Sequence, residues 1–388
     1  MKKKLISTLL LLPVVLNLCA CSLYSETSER KITVESIPIN KTQSVPQPLT
    51  IEVDPVNTTE SQSYEICGQY LYNQLSEKHK KIYLCIYKAF KEHTEVSFDE
   101  SYSYTDIEKV AELFFSQEPY ACDFCSGYSY TNSGIKLSHR YSKQQEQQYI
   151  EATEKQISVI LKNMPAGDYN RVKYFHDYLI TNCTYQQGSE FDSSPYGTLV
   201  QKQALCQGYA HTFALLCSRA GIDCISVAGV AEGPHIWNMV KIDGEWYVMD
   251  VTWDDADYRD FPAYISYNYF LVNKSVIKNR TIETPGIPEA TATKNNYFYK
   301  TGKVITNASD TYSVVYKSYE DALKNGQKYA SVKFADATAY QTGINYLVNN
   351  NGLYKVQCDI RNAGYGINER QMLYLANPDT LTATFFIF

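Results

Sequence analysis

The amino-acid sequence predicts an α+β fold, and three stretches support this prediction. Gln207–Gly221 repeats apolar residues at three- and four-residue spacing, which is typical of a helix that packs on one face. Thr105–Ser116 shows the same spacing. His235–Ile242 and Glu245–Trp253 are apolar runs joined by Asp243-Gly244, a dipeptide that favours a two-residue hairpin turn. Helices and an antiparallel hairpin in one chain indicate the α+β class.

The first 21 residues have the pattern of an export signal. Lys2–Lys4 form a basic end, Leu5–Leu16 are apolar, and the sequence L-C-A-C that ends at Cys21 resembles a bacterial lipobox. The apolar run is shorter than the roughly 20 residues that a membrane-spanning helix needs. We therefore expect cleavage before Cys21, lipidation of that cysteine, and anchoring to the outer face of a bacterial membrane. The alternative is an ordinary secretory signal in which Cys21 has no role.

Two regions precede the predicted core. Residues 22–62 are rich in Ser, Thr, Glu and Pro with little periodicity, which predicts a flexible tether. Residues 63–164 are predicted to form a helical α/β region. Its helices are expected over Tyr64–His93, Thr105–Ser116 and Ser142–Asn163, and its hairpin over Phe124–Tyr130 and Ile135–Tyr141.

The core is predicted to span residues 165–283, beginning with a helix over Asp168–Thr181, and residues 284–388 to form a linker and a small α/β unit. The linker is indicated by the Pro-, Gly- and Thr-rich stretch Thr284–Thr293. In the unit we expect strands near Tyr312–Tyr316, Ala330–Phe334 and Leu353–Cys358, helices over Tyr319–Asn325 and Ala337–Asn350, and a final strand within residues 383–388.

The charge balance argues against one class of partner. The formal net charge is −6, and removal of residues 1–20 takes away three lysines and no acids, which brings it to −9. An acidic chain without a basic cluster does not favour nucleic acid as a partner. We therefore expect a protein or cell-wall peptide as substrate, and a membrane contact only through the lipid anchor.

Eleven cysteines are present, and most have no assigned role. Cys19 leaves with the signal, and Cys21 is the predicted lipid site. An exported location permits disulfides, but the sequence does not assign pairs among the eight that remain besides Cys206. Cys122 and Cys125 form the one C-x-x-C motif, and a zinc site of the usual kind would need a second pair. We expect no metal and no cofactor, and a local disulfide or two unpaired thiols at this motif.

Cys206, His235 and Asp250 are the candidate catalytic residues. Cys206 lies where the helix should begin, and unpaired N–H groups and the helix dipole favour an anion there. This position therefore favours the thiolate, which is the nucleophilic form. His235 begins the first hairpin strand and Asp250 lies in the second. A thiol, an imidazole and a carboxylate together indicate nucleophilic cysteine chemistry.

The hairpin register predicts how the imidazole meets the carboxylate. If Ile242 pairs with Glu245, His235 lies opposite Thr252, and Asp250 lies diagonal to His235 on the same face. Diagonal neighbours are roughly 7–8 Å apart at the backbone, within reach of these side chains. A register slip of one residue would put the two on opposite faces.

Three motifs around these residues resemble the core of the transglutaminase-like superfamily. They are A-L-C-Q-G-Y-A at Cys206, H-I-W-N-M-V at His235 and G-E-W-Y-V-M-D-V-T-W-D at Asp250, and the resemblance covers about Pro165–Asn273. It implies a papain-like fold in which Cys206, His235 and Asp250 are catalytic. Activities known in the superfamily include amide crosslinking, peptide hydrolysis and deglycosylation, and some members show none. The resemblance therefore implies the fold more firmly than the reaction.

Three further residues were candidates for the site. His176 lies on a helix beside acidic residues, a setting that favours a structural role. His211 lies five residues past Cys206 on the same helix, which makes it a poor general base. Related enzymes place an aromatic residue upstream of the cysteine near the oxyanion, so Tyr185 is a candidate there. The backbone N–H of Cys206 is the other expected donor.

The resulting hypothesis is a surface-anchored cysteine enzyme that acts on amide bonds through a thioester. The alternative is a cell-surface binding or scaffold module that keeps the fold with little or no turnover. Hydrolysis is favoured over crosslinking because Gln186–Gly197 is short and mainly polar and the residues just before His235 are small or polar. Such segments do not supply the apolar walls that would shield a thioester from water.

Overall fold

The computed structural model describes residues 65–255, 261 and 264–388. The predicted export signal, the Cys21 lipid site and the tether lie outside these residues. The described residues divide into two compact units, the first ending at Tyr297 and the second running from Phe298 to Phe388. None of the helices in the described part of the chain is both long and apolar enough to cross a membrane.

The first unit mixes helices and short strands, as the α+β prediction requires. Its helices are α1 (Gln69–Asn73), α2 (Glu77–Glu92), α3 (Tyr104–Gln117), α4 (Pro119–Phe124), α5 (Lys143–Lys162), α6 (Asp168–Asn182), α7 (Cys206–Arg219) and α8 (Val251–Asp254). Its strands are β1 (Val96–Ser97), β2 (Cys125–Thr131), β3 (Gly134–His139), β4 (Thr184–Tyr185), β5 (Gln203–Ala204), β6 (Cys224–Val230), β7 (Pro234–Ile242), β8 (Glu245–Met249) and β9 (Thr281–Ile282).

Serine caps define the helices of the N-terminal region. The Ser103 and Ser142 side chains accept hydrogen bonds from the backbone N–H groups of Asp106 and Gln145, and Ser142 forms a full capping box with Gln145. The predicted helices over Thr105–Ser116 and Ser142–Asn163 and the predicted hairpin are therefore confirmed as α3, α5 and the β2–β3 pair. The predicted helical region over Tyr64–His93 is two helices, because Ser76 caps a new start at α2.

The core of the first unit is an antiparallel sheet in the order β8-β7-β6-β9. Helix α7 packs against β6 and β7 and also contacts α4, α5 and α6. Every residue of α7 from Gly208 to Cys217 is buried. A helix that is surrounded in this way has no face left for solvent, which accounts for its apolar sequence. Helices α1 and α3 contact β6, and the Gln117 side chain bonds both the N–H and the carbonyl of Ser226.

The β7–β8 hairpin has the predicted register, with Ile242 opposite Glu245 and Asn238 opposite Met249. The prediction that the second strand continues to Trp253 is wrong, because β8 ends at Met249. The Asp250 side chain accepts a hydrogen bond from the Trp253 N–H and caps the short helix α8. An aspartate in this position competes with strand pairing by offering the backbone a local acceptor.

The second unit has a four-stranded sheet covered by helices. Along residues 297–388 the helices are α9 (Tyr297–Lys300), α10 (Thr311–Lys324), α11 (Ala337–Asn349) and α12 (Gly352–Asn362). The strands are β10 (Val304–Ile305), β11 (Tyr329–Phe334), β12 (Leu373–Asn377) and β13 (Thr382–Phe386), in the sheet order β10-β11-β13-β12. The predicted strands near Ala330 and at the end of the chain, and the helix over Ala337–Asn350, are confirmed.

Two predicted strands of this unit are helical. Tyr312–Tyr316 belongs to α10 and Leu353–Cys358 to α12. Aromatic and β-branched residues in these segments favour a strand locally. Their buried residues nevertheless recur at helical spacing, as in α12, where Leu353, Val356 and Ile360 face the core. Burial of that face in the finished unit outweighs the local preference.

Candidate active site

Cys206 is the first residue of α7 and is half-buried. The residue before it, Leu205, caps the helix without a side-chain hydrogen bond, and its N–H donates to the Asp192 carbonyl at 2.6 Å. Gly208 permits this packing, because a Cβ there would lie 2.8 Å from the Asp192 oxygen. The loop before the nucleophile is thus fixed against the first turn of the helix.

His235 and Asp250 are joined by a direct hydrogen bond. The Nε2 atom of His235 lies 2.8 Å from Oδ2 of Asp250, and both side chains are almost fully buried. The contact does not use the predicted diagonal within the hairpin. Instead, β7 extends past the end of β8, and Asp250 turns toward His235 as the cap of α8.

Cys206 completes the group. Its side chain hydrogen-bonds to the His235 ring, and since Nε2 bonds Asp250, the thiol faces Nδ1. Burial lowers the pKa of His235, but Asp250 and Cys206 outweigh that effect and raise it to about 9. Burial raises the pKa of Asp250, whereas His235 and Arg280 lower it to about 2. At neutral pH the pair is therefore an imidazolium and a carboxylate.

Arg280 is a site residue that the sequence did not reveal. Its Nη1 atom lies 2.6 Å from Oδ2 of Asp250, the same oxygen that His235 contacts. The guanidinium carbon lies 4.1 Å, 5.0 Å and 5.1 Å from the ring centres of Trp253, Trp237 and Tyr269. Within the described residues Nη2 is buried without a hydrogen-bond partner. These rings lie over the cation and shield its ion pair from water.

The strand β9 brings Arg280 to this place. Thr281, the next residue, pairs with Val230, and Ile282 pairs with Gly229. Gly229 also lies opposite His235 in the β6–β7 pair. A Cβ at Gly229 would lie 2.0 Å from the Thr281 carbonyl oxygen, so only glycine admits β9 at this distance. No short-range pattern in the sequence signals a pairing of this kind.

Two further contacts hold the elements of the site together. The Asn238 side chain on β7 donates to the Ala210 carbonyl of α7 at 3.0 Å. Asp254 at the end of α8 bonds Nε2 of His176 on α6 at 3.2 Å and accepts from the Tyr269 N–H at 3.0 Å. The strand that carries His235 and the helix that Asp250 caps are thereby tied to their neighbours.

The other sequence candidates have different positions. His176 is fully buried between Asp177 and Asp254, in agreement with the expected structural role. Tyr185 lies on β4, paired in parallel with Ala204, two residues before Cys206. His211 is buried in α7, where one of its ring nitrogens lies within 4.8 Å of donor atoms of Cys122 and Asp123.

The nine cysteines of the described residues are all free. Cys122 and Cys125 are therefore unpaired thiols, and the alternative of a local disulfide at the C-x-x-C motif is wrong.

Comparisons with known proteins place this site in a familiar sequence context. The profile of the Transglutaminase-like superfamily matches residues 156–251, a stretch that contains Cys206, His235 and Asp250. Kyphoscoliosis peptidase from Mus musculus is 28% identical over 99 residues, which cover 21% of this chain and 15% of that protein. Its Homo sapiens counterpart is 32% identical over 72 residues, covering 15% and 11%. The chain thus spans only a small part of the length of these relatives.

A solved structure described as a TGase is 15% identical, with a TM-score of 0.26, over 41% of this chain and 50% of that one. The profile match and the mammalian relatives agree with the three motifs that surround the candidate catalytic residues. Residues 156–251 of this chain are therefore similar to the transglutaminase-like superfamily.

Proposed function

We propose that this protein is a cysteine enzyme that acts on amide bonds through a thioester at Cys206. The observation that carries the proposal is the continuous chain of contacts from Cys206 through His235 to Asp250. A module that only binds a partner needs no half-exposed thiol hydrogen-bonded to a buried imidazolium.

The proposed reaction uses each of these groups once per half-reaction. The Cys206 thiolate attacks the amide carbonyl carbon, and the negative oxygen of the tetrahedral intermediate accepts the Cys206 backbone N–H at the helix start. His235 gives its Nδ1 proton to the leaving nitrogen, the C–N bond breaks, and a thioester remains. The neutral imidazole then takes a proton from water or an amine, which attacks the thioester and releases the thiolate.

Asp250 holds His235 in the required orientation and stabilises its positive charge. With Nε2 directed at Asp250, only Nδ1 can exchange a proton at the sulfur. Arg280 in turn keeps the Asp250 carboxylate ionised and fixed.

Within this proposal we favour hydrolysis over amine transfer. The loop before Cys206 is mainly polar, and its two aromatic residues, Phe191 and Tyr196, pack against Tyr149. The segment before His235 is small or polar, so little apolar surface is left in either segment to exclude water. Trp253 is half-buried, and its ring centre lies 5.7 Å from that of His235. This ring could provide an apolar surface for an amine acceptor. Both outcomes therefore belong in one assay.

The test compares peptide release with incorporation of a fluorescent primary amine into glutamine-containing protein. The unaltered chain should release peptide, and Cys206→Ala should not, while Cys85→Ser controls for loss of an unrelated half-buried thiol. Cys206-dependent amine incorporation without peptide release would reverse the preference for hydrolysis. Absence of both, with Cys206 unreactive toward alkylation, would contradict the enzyme proposal and favour a binding module.

We also propose that lipidation of Cys21 anchors the protein at the bacterial surface, on the strength of the L-C-A-C sequence after a short apolar run. Metabolic labelling with a fatty-acid analogue should mark the unaltered protein. Cys21→Ser should lose the label and leave the membrane fraction, whereas Cys85→Ser should keep both. Equal membrane retention of Cys21→Ser would exclude this anchor.

A further inference from the structure

A second group of side chains lies beside the start of α7, away from the His235 ring. The sulfur of Cys122, a carboxylate oxygen of Asp123 and a ring nitrogen of His211 all lie within 4.8 Å of one another. Cys122 and Asp123 come from α4 and His211 from α7, two helices that are in contact. The thiol, carboxylate and imidazole are thus brought together by tertiary structure.

Two polar atoms of this group lack partners. Within the described residues, Oδ2 of Asp123 and Nδ1 of His211 are buried and make no hydrogen bond. His211 is 1% exposed, so its free nitrogen is not satisfied by bulk water. Buried carboxylate oxygens and imidazole nitrogens without partners are costly, and the presence of both in one cluster of donor residues calls for a compensating group.

A cation at the centre of the group would satisfy the unpartnered atoms. A thiol and a carboxyl bind a metal ion in their deprotonated forms, and an imidazole binds it in its neutral form.

We propose that Cys122, Asp123 and His211 bind a zinc ion. Zinc takes thiolate, imidazole and carboxylate ligands at about 2.0–2.3 Å and is usually tetrahedral, which leaves a fourth position for water or a further ligand. The thiolate selects against magnesium and calcium, which prefer oxygen ligands. Small side-chain rotations bring donors spaced within 4.8 Å to such a centre.

Gln207 connects this site to the nucleophile. Its Nε2 donates to Sγ of Cys122 at 3.2 Å and to Oδ1 of Asp123 at 3.3 Å. Hydrogen bonds of this kind to anionic ligands are typical of the groups that surround a metal site. Gln207 follows Cys206 in the first turn of α7, so its hydrogen bonds connect the start of that helix to the ligands on α4. The proposed zinc ion therefore has a structural role, which is to hold the start of α7 against α4.

Another cluster in the same unit serves as a comparison. His93 and His139 each contact one oxygen of Glu146 at 2.8 Å. Both carboxyl oxygens there already have an imidazole partner, so Glu146 is satisfied without an ion. This cluster also lacks a thiol, which makes it spectroscopically distinguishable from the proposed zinc site.

The test uses the full chain carrying Cys206→Ala, which removes the catalytic thiolate as a competing ligand. Purified under reducing conditions with zinc, it should hold one zinc ion per chain by mass spectrometry. Cobalt substitution should give the near-ultraviolet charge-transfer band of a cobalt–thiolate bond. Cys122→Ser and His211→Gln should each lose that band and the bound metal, whereas Cys85→Ser and His139→Gln should keep both.

The proposal would be overturned if the chain carrying only Cys206→Ala bound no metal. It would also be overturned if the metal persisted in both Cys122→Ser and His211→Gln. Should those variants misfold by circular dichroism, protection against alkylation decides instead. In long incubations at alkaline pH, where buried thiols react measurably, added zinc should slow the alkylation of Cys122 in the Cys206→Ala chain and leave the rate at Cys85 unchanged. An equal rate at Cys122 with and without zinc would contradict the site. None of these readouts depends on catalysis.

Discussion

Asp250 caps α8 and also bonds His235, and replacement by asparagine should affect these two contacts differently. Its Oδ1 atom accepts the Trp253 N–H and caps α8, while Oδ2 bonds His235. Asparagine keeps an acceptor for the cap but loses the charge that stabilises the imidazolium. We therefore expect Asp250→Asn to fold normally and to lower turnover by about 10⁴-fold, as loss of the same function does in a related constellation. Circular dichroism and the rate of peptide release or amine incorporation measure the two effects.

The same substitution should change the dependence on pH. The pKa of His235 is raised to about 9, so the stability that its charged form contributes is fully present below its ordinary pKa of about 6.5. This contribution is lost as the pH rises through about 9. We expect the free energy of unfolding and the proton donation to the leaving group to decline together there. In Asp250→Asn both declines should move to lower pH, and an unchanged profile would show that Asp250 does not set the charge of His235.

Arg280 should act through Asp250 and not on the substrate. Arg280→Met leaves a buried carboxylate with one partner fewer, and breaking a buried ion pair typically costs about 3–5 kcal/mol of stability. If Arg280 were only structural, its replacement would lower stability and leave the pH dependence of the rate unchanged. As a positioning residue, Arg280 also lowers the pKa of Asp250, so its loss should move the acid limb of the rate to higher pH.

The matched variants for this prediction are Arg280→Lys and Arg171→Met. Lysine keeps the charge but lacks the planar fork that bonds Asp250 and lies against three rings, so it should restore the acid limb only in part. Arg171 pairs with Asp168 at the surface, and its replacement should change neither stability nor profile noticeably. An acid limb unmoved in Arg280→Met would contradict the role of this residue.

At the scale of elements, the close pairing of β6 with β9 delivers Arg280 to the site. Gly229→Ala would push a methyl group into the Thr281 carbonyl, which a Cβ meets at 2.0 Å. We expect β9 to shift, Arg280 to leave Asp250, and the acid limb to move as in Arg280→Met. Gly233→Ala is the control, since nothing lies within 4 Å of its Cβ. Normal pH dependence in Gly229→Ala would show that β9 is not needed to place Arg280.

The elements also show which features a sequence can reveal. The helix at Cys206 and the register around Asp243-Gly244 follow from local spacing and turn chemistry, and the structure contains both. The prediction of strands at Tyr312–Tyr316 in α10 and Leu353–Cys358 in α12 is wrong because the local composition of these segments opposes the burial that the complete unit imposes. The contact of Arg280 with Asp250 could not be predicted from the sequence because it depends on a pairing between β6 and β9, which are distant in the sequence.

The same limit applies to the site around His211. Its proposed ligands come from α4 and α7, which are far apart in the sequence. A metal site of this kind has no second C-x-x-C pair and therefore no local sequence motif. By contrast, three motifs with the right order predicted the Cys206, His235 and Asp250 group, although the path from His235 to Asp250 runs through the α8 cap and not across the hairpin.

At the scale of the whole molecule, the surroundings of the thiols are expected to make their reactivities differ. Burial raises the pKa of Cys85 to about 11 and that of Cys183 to about 12, and it raises the pKa of Cys224 well above its usual range. These thiols should stay protonated and unreactive near neutral pH, because alkylation requires the thiolate. Cys206 differs from them in being half-buried, at a helix start, and hydrogen-bonded to an imidazole whose pKa is raised to about 9.

Limited treatment with iodoacetamide near pH 6 should therefore modify Cys206 ahead of the other cysteines of the folded protein. Peptide mass spectrometry measures the order of labelling. His235→Gln should abolish the preference because it removes the cation that stabilises the thiolate, whereas His79→Gln, a change at a surface histidine paired with Asp106, should leave it intact. In denaturant all cysteines should react alike, since burial no longer separates them. Prior labelling of another cysteine in the native chain would mean that the contact between Cys206 and His235 does not activate the thiol, and the proposed nucleophile would be wrong.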